Sequence, residues 1–101
     1  MSKHTPGPWN TLPEEVDKTY IRVRGTRLGC RYKVANVMTP DYVCVHPREA
    51  EETRANARLI AAAPDLLEAL RDLVDAITGR LDGETIALHN ALAVIKKAEG
   101  V

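Results

Sequence analysis

The chain has 101 residues, 45% of them apolar, and its 14 basic and 14 acidic side chains cancel to a formal net charge of zero. That length suits one compact domain with a modest core and leaves no room for a second. No apolar run approaches the roughly 18 residues that cross a bilayer, and the opening MSKHTPGPW lacks the apolar centre of a secretory signal, so a cytosolic protein without membrane contact is expected.

The charge is uneven beneath its balance. Residues 1–50 carry eight Lys and Arg against five acids, and residues 51–101 carry six against nine. A basic front suits an anionic partner, and the two halves also suit mutual neutralisation. Cys30 and Cys44 are too few and too far apart for a disulfide scaffold or a CxxC pair, which points to reduced thiols.

Trp9, Thr11 and Leu12 suggest a short opening strand, followed by a polar loop around Pro13 to Asp17. From Tyr20 to Arg24, Ile21 and Val23 alternate with Tyr20, Arg22 and Arg24, the two-residue period of a half-buried strand. Gly25 and Gly29 bracket a turn. Beyond it, Leu28, Cys30, Tyr32 and Val34 alternate with Arg31, Lys33 and Ala35, predicting a hairpin partner with a basic outer side. Pro40-Asp41 marks another turn, and Tyr42–His46 reads as a further strand closed by Pro47, which has no amide hydrogen for a ladder.

A helical period begins at Arg48. Residues 48–63 are rich in Ala, Glu and Arg without Gly or Pro, favouring a helix whose apolar residues are mostly alanines. Pro64 would cost about 3 kcal/mol inside a helix but almost nothing at the start of one, so it reads as the start of a second helix. In that helix Leu66, Leu70, Leu73, Val74 and Ile77 form one stripe, expected to be the main donor to the core, and Gly79 suits its end. A third helix follows from Glu84, with Leu88, Leu92 and Ile95 on one face and Lys96 and Lys97 late.

These elements predict an α+β domain over residues 1–101, with a β-rich part at 1–47 and a helical part at 48–101. An antiparallel sheet of three or four strands should pack against two or three C-terminal helices. The alanine-rich face around Ala55 and Ala62 suits close helix contact, so a homodimer through it stands beside the monomer as an expectation.

Six positive charges and no acid lie between Lys18 and Lys33. Within that run Arg22, Arg24, Arg27, Arg31 and Lys33 are the candidate partner- or anion-binding residues. Like charges facing each other across strands destabilise a hairpin unless water, a carboxylate or an anion screens them. A phosphate-bearing ligand, a nucleic-acid backbone or an acidic protein surface would do so. The bland alternative is a solvated face paired to acids elsewhere.

Tyr42, Cys44 and His46 share one side of their predicted strand. Residues two apart on a strand lie roughly 7 Å apart along the backbone, which does not give the Cys–His hydrogen bond that a nucleophile needs. Their spacing with Cys30 is not that of a zinc finger. Trp9 reads as an anchor for the N-terminal segment or as a stacking platform for a base. The sequence therefore names no catalytic, cofactor-binding or metal-binding residue, and the expectation is a protein that is not an enzyme.

HTPGPW at His4–Trp9, followed by ANARLIAAAPDLLEAL at Ala55–Leu70, resembles small accessory proteins encoded by tailed bacteriophages and prophages. The resemblance implies a protein made during infection and acting in the host bacterial cytoplasm, where counter-defence proteins and modifiers of host machinery are common products. The expected function is a non-enzymatic binder that inhibits a CRISPR effector or another anti-phage component, or sequesters a nucleotide signal. The alternative is a nucleic-acid-binding regulator that uses the basic hairpin.

Overall fold

A computed structural model describes residues 4–29, 31–39, 47–78, 80 and 86–100. The fold is α+β, as the periodicities predict: among the described residues three antiparallel strands precede three helices. The strands are β1 (Trp9–Thr11), β2 (Tyr20–Gly25) and β3 (Tyr32–Met38), in the order β1-β2-β3. The helices are α1 (Pro47–Ala61), α2 (Ala63–Ile77) and α3 (Ile86–Glu99). The strand expected at Tyr42–His46, together with Cys30, Gly79 and Glu84, lies outside the described residues. The chain forms two compact units, one spanning Thr5–Pro64 and the other made of Met1–His4 with Asp65–Val101.

In the first unit β2 is the central strand. It pairs with β1 through Trp9↔Gly25 and Thr11↔Val23, and with β3 through Ile21↔Val37 and Val23↔Ala35. The two-residue period places Ile21 and Val23 on one face, where they are 4% and 0% exposed. Helix α1 covers that face and contacts all three strands. Its buried residues are Ala50, Ala57 and Ala61, seven and four positions apart and thus on one side of the helix. Small side chains there let the helix axis come close to the sheet.

The predicted second hairpin strand is displaced. Residues Arg27–Gly29 form a short 3₁₀ turn, closed by the Gly29 N–H donating to Thr26 O at 3.2 Å, and β3 begins only at Tyr32. The alternation read from Leu28 onward therefore starts four residues too early. It continues through Asn36, Val37 and Met38, where the register with β2 is completed. A bulge between Val23 and Arg24 leaves Val34 as an extra residue on β3.

The opening segment is tied to the end of β2. Pro8 O accepts from Thr26 N at 3.1 Å, Asn10 Nδ2 donates to Thr26 Oγ1 at 2.7 Å, and Trp9 Nε1 donates to Thr5 O at 3.0 Å. A Cβ added at Gly25 would meet Thr5 Cγ2 at 2.8 Å, so a side chain at this position would require Thr5 to shift. Trp9 is half-buried, and its indole N–H is committed within the N-terminal segment.

Pro64 does what its chemistry predicts. Helix α1 closes with Ala62 N donating to Arg58 O at 3.0 Å, and Pro64 falls in the first turn of α2, where a missing N–H costs nothing. The expectation for the leucine stripe of α2 needs correction. Leu66 and Leu73 are 54% and 58% exposed, Leu70 and Ile77 are half-buried, and Val74 alone of the stripe is buried, at 6%. The helix that covers the sheet is α1, whose buried alanines allow a close approach. Within the second unit Arg71 of α2 donates from Nε to Glu99 Oε1 of α3 at 2.7 Å, Leu88 is buried, and Gly100 follows α3 at φ 77°.

Two substitutions test this assignment of the core. Ala57→Leu should overpack the α1–sheet contact and lower unfolding stability by about 1–3 kcal/mol in chemical denaturation. Leu73→Gln, at an exposed position, should change stability by less than about 0.5 kcal/mol in the same assay.

Candidate functional site: the basic hairpin

The five candidate residues do not form one solvated array. Arg22 and Arg24 lie on the face of β2 opposite Ile21 and Val23, as the alternation predicts. Their partners on β3 are Asn36 and Lys33. Arg24 and Lys33 are thus like charges directly across the ladder, the juxtaposition that the sequence identified as costly.

The two arginines meet this cost differently. Arg24 is only 9% exposed. Its Nη1 donates to Val23 O and Ala35 O, both at 2.9 Å, and its Nη2 donates to Asn36 Oδ1 at 2.9 Å. These acceptors are neutral, so backbone and amide dipoles solvate the buried cation. The expectation that Arg24 stands in solvent is corrected here. The bulge beside Val23 supplies the physical reason, since it shifts the register just where the guanidinium turns onto β3.

Arg22 is tied to the β1–β2 connection. Its Nη2 donates to Glu15 Oε1 at 2.8 Å and to Pro13 O at 3.3 Å. Glu15 also receives Lys18 Nζ at 3.5 Å, and Lys18 lies 5.9 Å from the centre of the Tyr20 ring. Two of the six cations of the Lys18–Lys33 run thereby share one carboxylate, an arrangement that the spacing of Glu15 and Arg22 does not reveal.

The remaining three candidates are the exposed ones. Arg27 lies in the 3₁₀ turn, Arg31 precedes β3 and Lys33 is its second residue. None of the three side chains makes a hydrogen bond or ion pair with a described residue. Between Arg27 and Gly29 stands Leu28, 91% exposed and in the left-handed region at φ 59°. A non-glycine residue held there costs about 1–3 kcal/mol and is a mark of functional segments. Tyr32, 51% exposed, flanks the group at the first position of β3. The tip of the β2–β3 hairpin therefore presents three cations with a leucine and a tyrosine.

Other chemistry is sparse among the described residues. No group of three or more His, Cys, Asp or Glu is placed to hold a metal ion, and no helix is long and apolar enough to cross a membrane. Cys44 and His46 lie outside them. Sequence reasoning missed a second pair of arginines, Arg54 and Arg58 on α1, which flank a cleft beside the β1–β2 connection. Their four-residue spacing was legible, but the contact of Arg54 with Glu14, 40 residues away, was not.

A family model described as Salmonella phage P22 protein Y8K6 matches residues 1–101, and the chain belongs to that family of phage proteins. No curated protein and no solved structure matches the chain.

The division among the arginines has a measurable consequence. Arg24→Ala should leave Ala35 O and Asn36 Oδ1 without their donor and destabilise the protein by about 1–3 kcal/mol. Arg22→Gln, which breaks a partly exposed ion pair, should cost less than about 1 kcal/mol. Equal losses for both in urea titration would contradict the assignment.

Proposed function

We propose that this phage protein acts by binding rather than by catalysis, and that the β2–β3 tip is its contact surface for an acidic patch on a host protein. In this reading it is a counter-defence protein that works in the host bacterial cytoplasm and blocks a CRISPR effector or another anti-phage component. The observation that carries the reading is the tip itself: Arg27, Arg31 and Lys33 are exposed and unpaired among the described residues, around the exposed Leu28 and beside Tyr32.

Physical chemistry favours a protein partner for such a surface. Unpaired cations speed encounter with an acidic surface and gain most where water is excluded. Arginine and tyrosine are the residue types that recur at binding hot spots, and an apolar side chain at the centre supplies the desolvated contact. The same cations also suit phosphates, so a nucleic-acid-binding regulator is the second reading. In that case log affinity should fall steeply and linearly with log salt, and Tyr32 would offer its ring to a base. Sequestration of a nucleotide signal is the small-molecule form of the leading reading.

One pair of variants separates the readings. Affinity capture from phage-infected host lysate, with mass spectrometry of bound proteins and nucleotides, should yield a partner that the purified chain then binds directly. Arg27→Glu with Arg31→Glu should abolish that binding and leave the melting temperature within about 2 °C of the parent, because neither residue contributes to the core. Undiminished binding by the double variant would refute the tip as the contact. Duplex or single-strand binding with a steep salt dependence, in the absence of a protein partner, would transfer the assignment to the regulator.

A further inference from the structure

A cleft of about 360 Å³ lies between the β1–β2 connection and α1, wholly within the Thr5–Pro64 unit. Its floor is apolar: Ile21 and Ala57, 4% and 1% exposed, together with the half-buried Leu12. Its rim is charged, with Arg54 and Arg58 from α1 facing Glu14 of the connection. We propose that this cleft binds a compact organic monoanion, one phosphodiester or carboxylate group carried on an apolar body.

The charge state follows from the rim. Arg54 and Arg58 are four residues apart and so lie on the same side of α1. Glu14 Oε2 accepts from Arg54 Nε at 2.9 Å, which holds that guanidinium in place and cancels its charge. Arg58 is exposed, and its guanidinium makes no hydrogen bond or ion pair with a described residue. The rim thus carries one uncompensated positive charge beside a carboxylate. A single negative charge balances it, a second would meet Glu14, and a neutral ligand would leave the Arg58 fork unused. A planar guanidinium receives a carboxylate or phosphodiester through two parallel hydrogen bonds.

Shape and stiffness point the same way. The volume lies at the lower end of the roughly 300–1,000 Å³ of small-ligand sites, which are mostly apolar with a few polar groups that fix orientation. The wall opposite α1 is already braced. Pro13 O and Glu15 accept from Arg22, and Leu12 N donates to Arg22 O at 3.0 Å. A wall fixed in the free protein reduces the ordering cost of binding. The cleft shares no residue with the hairpin tip, so the two assignments stand or fall separately.

The test is an NMR titration of the full chain with two separate probes, adenosine 3′,5′-cyclic monophosphate and naphthalene-2-carboxylate. Neutral adenosine and dimethyl phosphate serve as fragments that each lack one half of the chemistry. At least one of the two anions should shift the amides of Thr11, Ile21 and Ala57 saturably, and more tightly than either fragment does. Arg58→Leu should weaken that binding at least about tenfold without lowering the melting temperature, and Arg58→Gln should do the same if the leucine variant fails to fold. The tip variant Arg27→Glu with Arg31→Glu should bind the probe like the parent. A response to the cyclic nucleotide alone assigns a phosphodiester source, one to the naphthoate alone a carboxylate source, and both support the site. No saturable shift in the millimolar range, binding indifferent to Arg58, or adenosine binding as tightly as the anions would overturn it.

Discussion

The alanine face of α1 against Ile21 and Val23 is the contact on which the Thr5–Pro64 unit depends. A helix lined by Ala50, Ala57 and Ala61 brings little apolar area of its own, and its value lies in the distance at which it lets the backbones approach. Dispersion and burial then act on Val23, the largest fully buried side chain among the described residues. Because β2 gives its apolar side to α1, its other side must carry Arg22 and Arg24.

That constraint shapes the electrostatics of the first unit. Arg24 cannot stay in water opposite Lys33 without repulsion, and the bulge at Val23 gives it backbone and amide acceptors instead. Arg22 reaches back to Glu15 and braces the β1–β2 connection. The cations left over are those beyond the end of β2, where neither ladder nor loop supplies a carboxylate. Arg27, Arg31 and Lys33 therefore mark the part of the run that the fold itself does not use. The same brace holds Pro13, which lines the cleft together with Arg54 and Arg58.

Much of this was legible in the residues. The alternation around Ile21 and Val23 gave β2 and its buried face, and the absence of Gly and Pro over residues 48–63 gave α1. Pro64 gave the break between helices, because its missing amide hydrogen is harmless only at a helix start. What failed had physical causes. Leu28 fits an alternating pattern, yet the 3₁₀ turn between Gly25 and Tyr32 takes it out of the sheet. The α2 stripe is more strongly apolar than α1, yet Leu66 and Leu73 are exposed, while Ala50, Ala57 and Ala61 of α1 are buried. The fate of the candidate site was hidden because charge density along a strand does not tell which arginine finds acceptors. Arg24 and Arg27 look alike in sequence, and one is buried while the other is exposed.

Native-state hydrogen exchange measures the α1–β2 contact most directly, since amides that share one packed unit open together. The amides of Ile21 and Val23 and those of α1 around Ala57 should fall in one slow class with a common opening free energy. Exchange of the α1 amides through a separate, lower-energy opening, with β2 still protected, would show that the strand keeps its burial without the helix and would contradict the account.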